Sequence, residues 1–150
     1  MDEEGIGIEG QCHLKIGEYY YLIYAARGCC GPGSDYEVRV ARADSFLGPY
    51  ENCPANPILK AGDGDFISCG HGTVVYGDDG RMFYMCHAYK EGAEFFMGRQ
   101  PVIHELVLDD DGWLSFVNGD IALSEQKVPC RGVKQKAKEG FYDDFDASEQ

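Results

Sequence analysis

Short runs of aromatic and β-branched residues, separated by Gly, Asp and Pro, recur along this chain and constrain its fold most. In the run Tyr36–Ala43, the residues Tyr36, Val38 and Val40 share one face, which is the two-residue period of a strand. Runs with a helical period are missing, and only the basic segment Lys134–Lys138 suits a turn or two of helix. The pattern predicts an all-β protein.

The runs follow one another closely enough to form hairpins. Turns are expected at Gly17-Glu18, at Asp78–Gly80 and at Asp109–Gly112, and Arg42 is expected to mark the end of its strand. The predicted strands are Gln11–Ile16, Tyr19–Ala25, Tyr36–Ala43, Asn56–Lys60, Thr73–Tyr76, Met82–Ala88, Arg99–Leu108 and Trp113–Val117.

The order of strands and turns repeats after 62 to 63 residues. Setting EGQCHLKIGEYYYLIYAA over HGTVVYGDDGRMFYMCHAY places Glu9 on His71 and Tyr24 on His87. A unit of about four antiparallel strands is one blade of a β-propeller, which predicts a blade over about 9–60 and another over about 70–120. Two unrelated hairpins in a sandwich are the alternative.

Two blades do not close a ring, because propellers use about four to eight. We therefore expect the chain either to be part of a larger propeller or to assemble with copies of itself. The partial propeller is expected to occupy 1–130, with 131–150 as an acidic linker or the start of a following module.

Composition narrows the possible partners. The chain has 150 residues, a net charge of −13 and 44% hydrophobic residues, which suits one folded domain. An acidic surface argues against nucleic acid and anionic membranes and permits a neutral substrate such as a sugar. No run approaches the roughly 20 apolar residues of a membrane span, and the start has no features of a secretion signal.

The seven cysteines contain no C-x-x-C pair, so a zinc ribbon is not expected. Adjacent cysteines rarely bridge, so Cys29 and Cys30 are expected to remain thiols. Most of the cysteines are interpreted as small buried hydrophobic residues in a reducing compartment. They are Cys12, Cys29, Cys30, Cys53, Cys69, Cys86 and Cys130.

Glu9 is the candidate catalytic residue. The innermost strand of each blade starts near the propeller axis, so the repeat aims Glu9 and His71 at one central cavity. A partly desolvated carboxyl there can donate a proton near neutral pH, as glycoside cleavage requires. The alternative is that Glu9 is a solvated turn residue.

The segment around Glu9 resembles a known enzyme family. The string IEGQCHLKIGEYYYLIYAA resembles the segment of glycoside hydrolase family 43 around its general acid, which reads E-G-P, a short strand, a Gly turn and Y-Y-Y-L. The resemblance continues in order through YEVRVARADSFLGPYENCPANPIL, SCGHGTVV, MFYMCHAY and MGRQPVIHELVLDDDGWLSF, over about residues 6 to 120. The Cys29-Cys30 pair in its Gly-rich loop also looks like arabinanase-type members.

The resemblance implies a five-bladed propeller that cleaves arabinose- or xylose-containing glycans with inversion. Glu9 then matches the general acid. His71 matches the central-cavity His that lies near substrate or a bound calcium, and Arg99 matches an Arg that holds the sugar. A core His tied to backbone and a surface ion pair are the alternatives for His71 and Arg99.

The chain departs from the family pattern in two ways. Gln11 stands where the family has Pro, which would loosen the turn that aims Glu9. The catalytic base and the second Asp come from earlier blades of the family fold, and Asp2 and Asp35 match neither. Two further hypotheses therefore stay open: a propeller fragment that binds carbohydrate without cutting it, and a truncated chain without activity.

The remaining polar and aromatic residues are assigned structural roles. Trp113 is expected to pack between blades, and His87 is expected to be a satisfied structural His. Asp109–Asp111 lack the ligand spacing of a calcium loop and suit a solvated turn. The tyrosines of the second strand, Tyr19, Tyr20, Tyr21 and Tyr24, split between its faces and suit the blade core rather than a sugar platform.

Overall fold

The computed structural model describes residues 7–93 and 98–125, and it is all-β over these residues. Its eight strands form two four-stranded antiparallel sheets, each a simple meander. The strands are β1 Ile8–Ile16, β2 Tyr19–Ala26, β3 Glu37–Ala43, β4 Glu51–Asn52, β5 Phe66–Tyr76, β6 Met82–Lys90, β7 Gln100–Leu108 and β8 Leu114–Phe116. The predicted blade architecture is confirmed. The domain limits stay a prediction, because the segment 131–150 lies outside the described residues.

The outer strand of the first sheet differs from the prediction. The expected strand Asn56–Lys60 does not join the sheet, and Glu51–Asn52 pairs with β3 instead. The Asn56 side chain explains why, because its amide accepts from the Val40 N–H (2.8 Å) and donates to the Val40 carbonyl (2.9 Å). The edge of β3 is thereby capped, and Leu59 makes only an isolated bridge to Val38.

The register of the repeat also differs, by one residue. Both inner strands carry a bulge, between Glu9 and Cys12 in β1 and between Gly70 and Thr73 in β5. The first residue inside each bulge has a positive φ, which is 62° for Gly10 in β1 and 53° for His71 in β5. The bulges occupy the same place in both sheets, and the structural equivalents are therefore Gly10 with His71 and Glu9 with Gly70.

The larger core lies between the two sheets and includes Tyr21, Ile23 and Val40 from the first and Tyr84 and Leu106 from the second, and a smaller cluster contains Tyr24. The interpretation of the tyrosines as core residues holds for Tyr21 and Tyr24, which are buried, whereas Tyr19 is partly exposed.

A cation–π contact joins the outer parts of the two sheets. Trp113 is buried and stacks under the Arg42 guanidinium, whose centre lies 3.9 Å from the ring, so the prediction that Trp113 packs between blades is confirmed. Arg42 also donates to the Asp111 and Gly112 carbonyls at 3.0 Å each. β3 ends at Ala43, one residue after Arg42, close to where Arg42 was expected to mark the end of the strand.

The turn Asp109–Gly112 behaves as predicted for a structural turn. The Asp109 carboxylate accepts from the N–H groups of Asp111 (3.0 Å) and Trp113 (2.8 Å). Gly112 takes a positive φ of 72°. The acidic run therefore orders the hairpin that presents Trp113 to Arg42.

The cysteines are divided between the core and one loop. Cys53, Cys69 and Cys86 are buried free thiols, as expected for small hydrophobic residues, and burial raises the pKa of Cys69 to about 12. Cys29 and Cys30 are bonded to each other, so the expectation that this pair would not bridge is wrong. Cys130 lies outside the described residues, and the reducing compartment stays a prediction.

His104 gives the fold a testable pH dependence. It is 1% exposed, packs on Phe116, and its Nε2 has no hydrogen-bond partner among the described residues. Burial lowers its pKa to about 4. Between that value and the unfolded value of about 6.5, only the unfolded chain takes up the proton, so stability falls as pH drops through this window.

We expect the free energy of unfolding to fall by up to about 3 kcal/mol on this account between about pH 7 and pH 4. Urea titrations of the wild type and of His104→Phe, which keeps a ring against Phe116, measure the difference. A wild type and variant with the same pH dependence would contradict the assignment.

Candidate active site

Glu9 lies near the start of β1, where the bulge at Gly10 turns the strand. A Cβ on Gly10 would lie 2.8 Å from the Cα of His71, so the two inner strands approach here more closely than a side chain permits. The Glu9 carboxylate is exposed. The structure therefore places Glu9 beside the inner strand of the second sheet, as the repeat predicted.

Tyr36 reaches Glu9 from the other side. Its hydroxyl donates to Glu9 Oε1 at 2.8 Å, and the side chain is only 1% exposed. Burial raises the pKa of Tyr36 above its ordinary value, and the hydrogen bond to Glu9 and its charge raise it further. The hydroxyl is therefore protonated throughout the physiological range and acts as a fixed donor.

Two neighbours hold the Tyr36 ring. A Cβ on Gly70 would overlap the ring, at 2.3 Å from Cε1, so the ring lies directly on the Gly70 backbone. The His87 ring is stacked against Tyr36, with centroids 5.9 Å apart and planes 12° apart. Tyr36 belongs to the first sheet and Gly70 and His87 to the second, so the site is built across the two blades.

His87 connects this stack to Arg99. Arg99 Nη1 lies 3.1 Å from His87 Nε2, and because a guanidinium only donates, Nε2 is the acceptor. Burial lowers the pKa of His87, and the charges of Arg99 and His71 lower it further. The neutral ring therefore carries its proton on Nδ1, which has no hydrogen-bond partner among the described residues.

His71 completes the group. Its ring is exposed and lies 6.2 Å from that of His87, at an open recess of about 450 Å³ that Cys86 and Pro101 also line. The structure thus brings together all three residues singled out from sequence. We call the five residues Glu9, Tyr36, His71, His87 and Arg99 the inter-blade cluster.

The inter-blade cluster alone does not suit calcium. This ion takes six to eight oxygen ligands, and within the described ranges no three His, Cys, Asp or Glu side chains converge as a metal site. His71 as a ligand stays a prediction, and no chemical step is assigned to a metal.

A second loop borders the same end of the sheets. The segment 27–36 joins β2 to β3 and carries the Cys29–Cys30 disulfide. Asp35 Oδ1 accepts from the Gly28 N–H at 2.9 Å, and Ser68 Oγ donates to the Cys29 carbonyl at 3.3 Å. Because Tyr36 is the last residue of this loop, the loop fixes where the Tyr36 ring enters the site.

Sequence reasoning missed Tyr36 and His87 as site residues. Tyr36 was assigned only to a strand face, and His87 was interpreted as a satisfied structural His. The available signal was topological: Tyr36 immediately precedes β3 at the end of the sheet where β1 begins, so it had to lie near Glu9.

No helix in the described residues is long and apolar enough to cross a membrane.

Comparison with known proteins identifies the family. The model of glycosyl hydrolases family 43 matches residues 1–114. A non-reducing end α-L-arabinofuranosidase of Bacteroides ovatus, BoGH43B, is 33% identical over 147 residues, which cover 95% of this chain and 27% of that protein. An extracellular exo-α-(1→5)-L-arabinofuranosidase of Cellvibrio japonicus, ArbA, is 31% identical over 124 residues, covering 75% of this chain and 35% of that protein.

Solved structures similar to this chain support the same family. The family 43 protein GH43B from a Bacteroides ovatus xyloglucan locus superposes with a TM-score of 0.69 at 29% identity, over 79% of this chain and 24% of that one. A xylan β-1,4-xylosidase of Bacillus halodurans superposes with a TM-score of 0.68 at 26% identity, over 93% of this chain and 27% of that one. The chain spans about a quarter to a third of the length of these proteins. The two sheets are blades of the five-bladed propeller that the resemblance implied, and the chain belongs to glycosyl hydrolase family 43.

Proposed function

We propose that this chain supplies the general-acid part of the active site of an inverting glycoside hydrolase that acts on arabinose- or xylose-containing polysaccharides. The observation that carries the proposal is the Glu9 carboxylate, which is exposed and fixed by the Tyr36 hydroxyl at 2.8 Å. The named activities of the relatives, an arabinofuranosidase and a xylosidase, support the choice of sugar.

The geometry suits proton donation. The Tyr36 hydroxyl occupies Oε1, which leaves Oε2 as the oxygen that carries the proton toward the sugar. That proton moves to the glycosidic oxygen as the bond from this oxygen to the anomeric carbon breaks, and water supplies the hydroxyl on the opposite face. Glu9 ends the step as a carboxylate.

Arg99 is assigned to sugar binding. One of its nitrogens is held by His87, and its planar fork suits adjacent hydroxyls on a sugar ring. Arg99 is exposed, so its remaining donors are accessible to a ligand. His71, at the recess beside it, is assigned to the same surface.

The catalytic base is assigned to a residue outside the inter-blade cluster. Inversion requires a second carboxyl roughly 6.5–9.5 Å from the first. The members of the inter-blade cluster other than Glu9 are a Tyr, two His and an Arg, so none can serve. The proposal places the base outside the described residues.

Glu9→Gln tests the acid role through the leaving group. A sugar leaving group needs protonation, whereas 2,4-dinitrophenolate leaves without it. In the natural polypeptide that carries these residues, we expect kcat on arabino- and xylo-oligosaccharides to fall by about 10²- to 10⁴-fold and kcat on the dinitrophenyl glycosides to fall by less than about tenfold.

Glu18→Gln, at the exposed β1–β2 turn, is the matched control and should leave both rates unchanged. Equal losses on both substrate classes, or no loss on either, would remove Glu9 from the acid role. A wild-type protein without hydrolysis of any of these substrates would contradict the hydrolase proposal.

Carbohydrate binding without cleavage is the second candidate. It is favoured because the inter-blade cluster holds a single carboxylate, whereas cleavage with inversion needs two, and because Arg99 in the same cluster is exposed. On this account the chain holds oligosaccharides through Arg99 and has no turnover.

Calorimetric titration of the chain with arabino- and xylo-oligosaccharides measures this binding. We expect binding heat in the wild type and about tenfold weaker binding in Arg99→Ala, because a lost charge-assisted hydrogen bond costs on the order of 1.5 kcal/mol. Arg81→Ala, in the turn at the opposite end of the second sheet, is the control and should bind as the wild type does. Absence of heat from every oligosaccharide would contradict sugar binding by this chain.

A further inference from the structure

The Tyr36 hydroxyl is placed to control the oxygen of Glu9 that meets the substrate. We propose that Tyr36 is a positioning residue for the general acid: it holds Oε1 so that Oε2 faces the glycosidic oxygen with its proton. This inference rests on the proposed function and adds a residue that acts through Glu9 without contacting the sugar.

The position of the hydroxyl is determined by both blades. The Tyr36 ring has the Gly70 backbone on one side and the His87 ring, 5.9 Å away and nearly parallel, stacked against it. A ring confined in this way has little freedom to turn, so its hydroxyl stays in one place. The carboxylate, which projects from a bulged strand and is exposed, is the partner that must be held.

Burial makes the contact specific. Tyr36 is 1% exposed, so water is a poor substitute for Glu9 as its acceptor. A buried hydroxyl without a partner is destabilising, and the contact therefore stabilises both groups in this arrangement. Because its pKa is raised, Tyr36 does not itself exchange a proton with Glu9 in the working range.

The contact also limits how the carboxyl group can turn. Without the hydroxyl, the carboxyl is free to rotate, and Oε1 and Oε2 can exchange places. A residue that only supports the fold would not produce this effect on the catalysis of the folded protein.

Tyr36→Phe tests the inference, because it keeps the ring between Gly70 and His87 and removes only the hydroxyl. We expect kcat on oligosaccharides to fall by about tenfold with KM within about twofold, and kcat on dinitrophenyl glycosides to stay near the wild-type value.

Tyr21→Phe is the matched control, since Tyr21 is equally buried and its hydroxyl donates to the Gly112 carbonyl at 2.7 Å, away from Glu9. It should lower Tm and leave kcat on both substrate classes unchanged. An unchanged kcat on oligosaccharides in Tyr36→Phe, with Glu9→Gln still selective for the poor leaving group, would overturn the positioning role and leave the proposed function standing.

A double-mutant cycle on Tm tests the contact independently of activity. In the wild-type background, Tyr36→Phe should lower Tm by about 3–8 °C. In the Glu9→Ala background the hydroxyl is already unpaired, so the same change should have no effect or raise Tm. Equal losses in both backgrounds would show that the two groups are not coupled and would overturn the inference, whereas coupling without any hydrolysis would refute only the catalytic role of the pair.

Discussion

The close approach of the two inner strands is the constraint on which the site depends. A side chain at position 10 would collide with the backbone of His71, and one at position 70 would overlap the Tyr36 ring. Glycine at position 10 lets the two inner strands approach at this point, and glycine at position 70 leaves room for the Tyr36 ring. The approach places the Glu9 carboxylate and the Tyr36 hydroxyl, both from the first blade, next to His87 from the second. Each blade alone would present only part of this group.

The outer contact between the blades complements the inner one. Arg42 lies between Tyr19 and Trp113, with its guanidinium centre 4.8 and 3.9 Å from the two rings. The Tyr21 hydroxyl reaches the same turn through the Gly112 carbonyl. These contacts join the two sheets at a point away from the inter-blade cluster. An active site that requires groups within hydrogen-bond distance benefits from such support.

The sequence predicted the parts of this structure that depend on local pattern. Alternation and turn residues identified the strands, and the repeat with the family resemblance placed Glu9, His71 and Arg99 at one cavity. The alignment was one residue out, because the matched letters placed Glu9 on His71, whereas strand pairing superposes the two bulges and places Gly10 on His71.

Tertiary contacts account for what was missed. In the sequence, Tyr36 looks like any strand residue that faces the core. Only the folded structure shows that its hydroxyl donates to Glu9. His87 was expected to have its own structural partner, and its partner proved to be Arg99, twelve residues later. The Cys29–Cys30 bond was not expected, because it depends on the backbone conformation of one loop. Each of these three contacts depends on the folded conformation of the chain, which residue composition and spacing do not specify.

The central claim is that the inter-blade cluster presents Glu9 to a glycosidic bond. A crystal structure of the natural polypeptide with a bound arabino- or xylo-oligosaccharide tests it most directly. The account predicts a glycosidic oxygen within about 2.6–3.2 Å of Glu9 Oε2, with Oε1 still accepting from Tyr36 and with Arg99 on sugar hydroxyls. A sugar bound away from the cluster, or a Glu9 side chain turned away from Tyr36 in the complex, would contradict it.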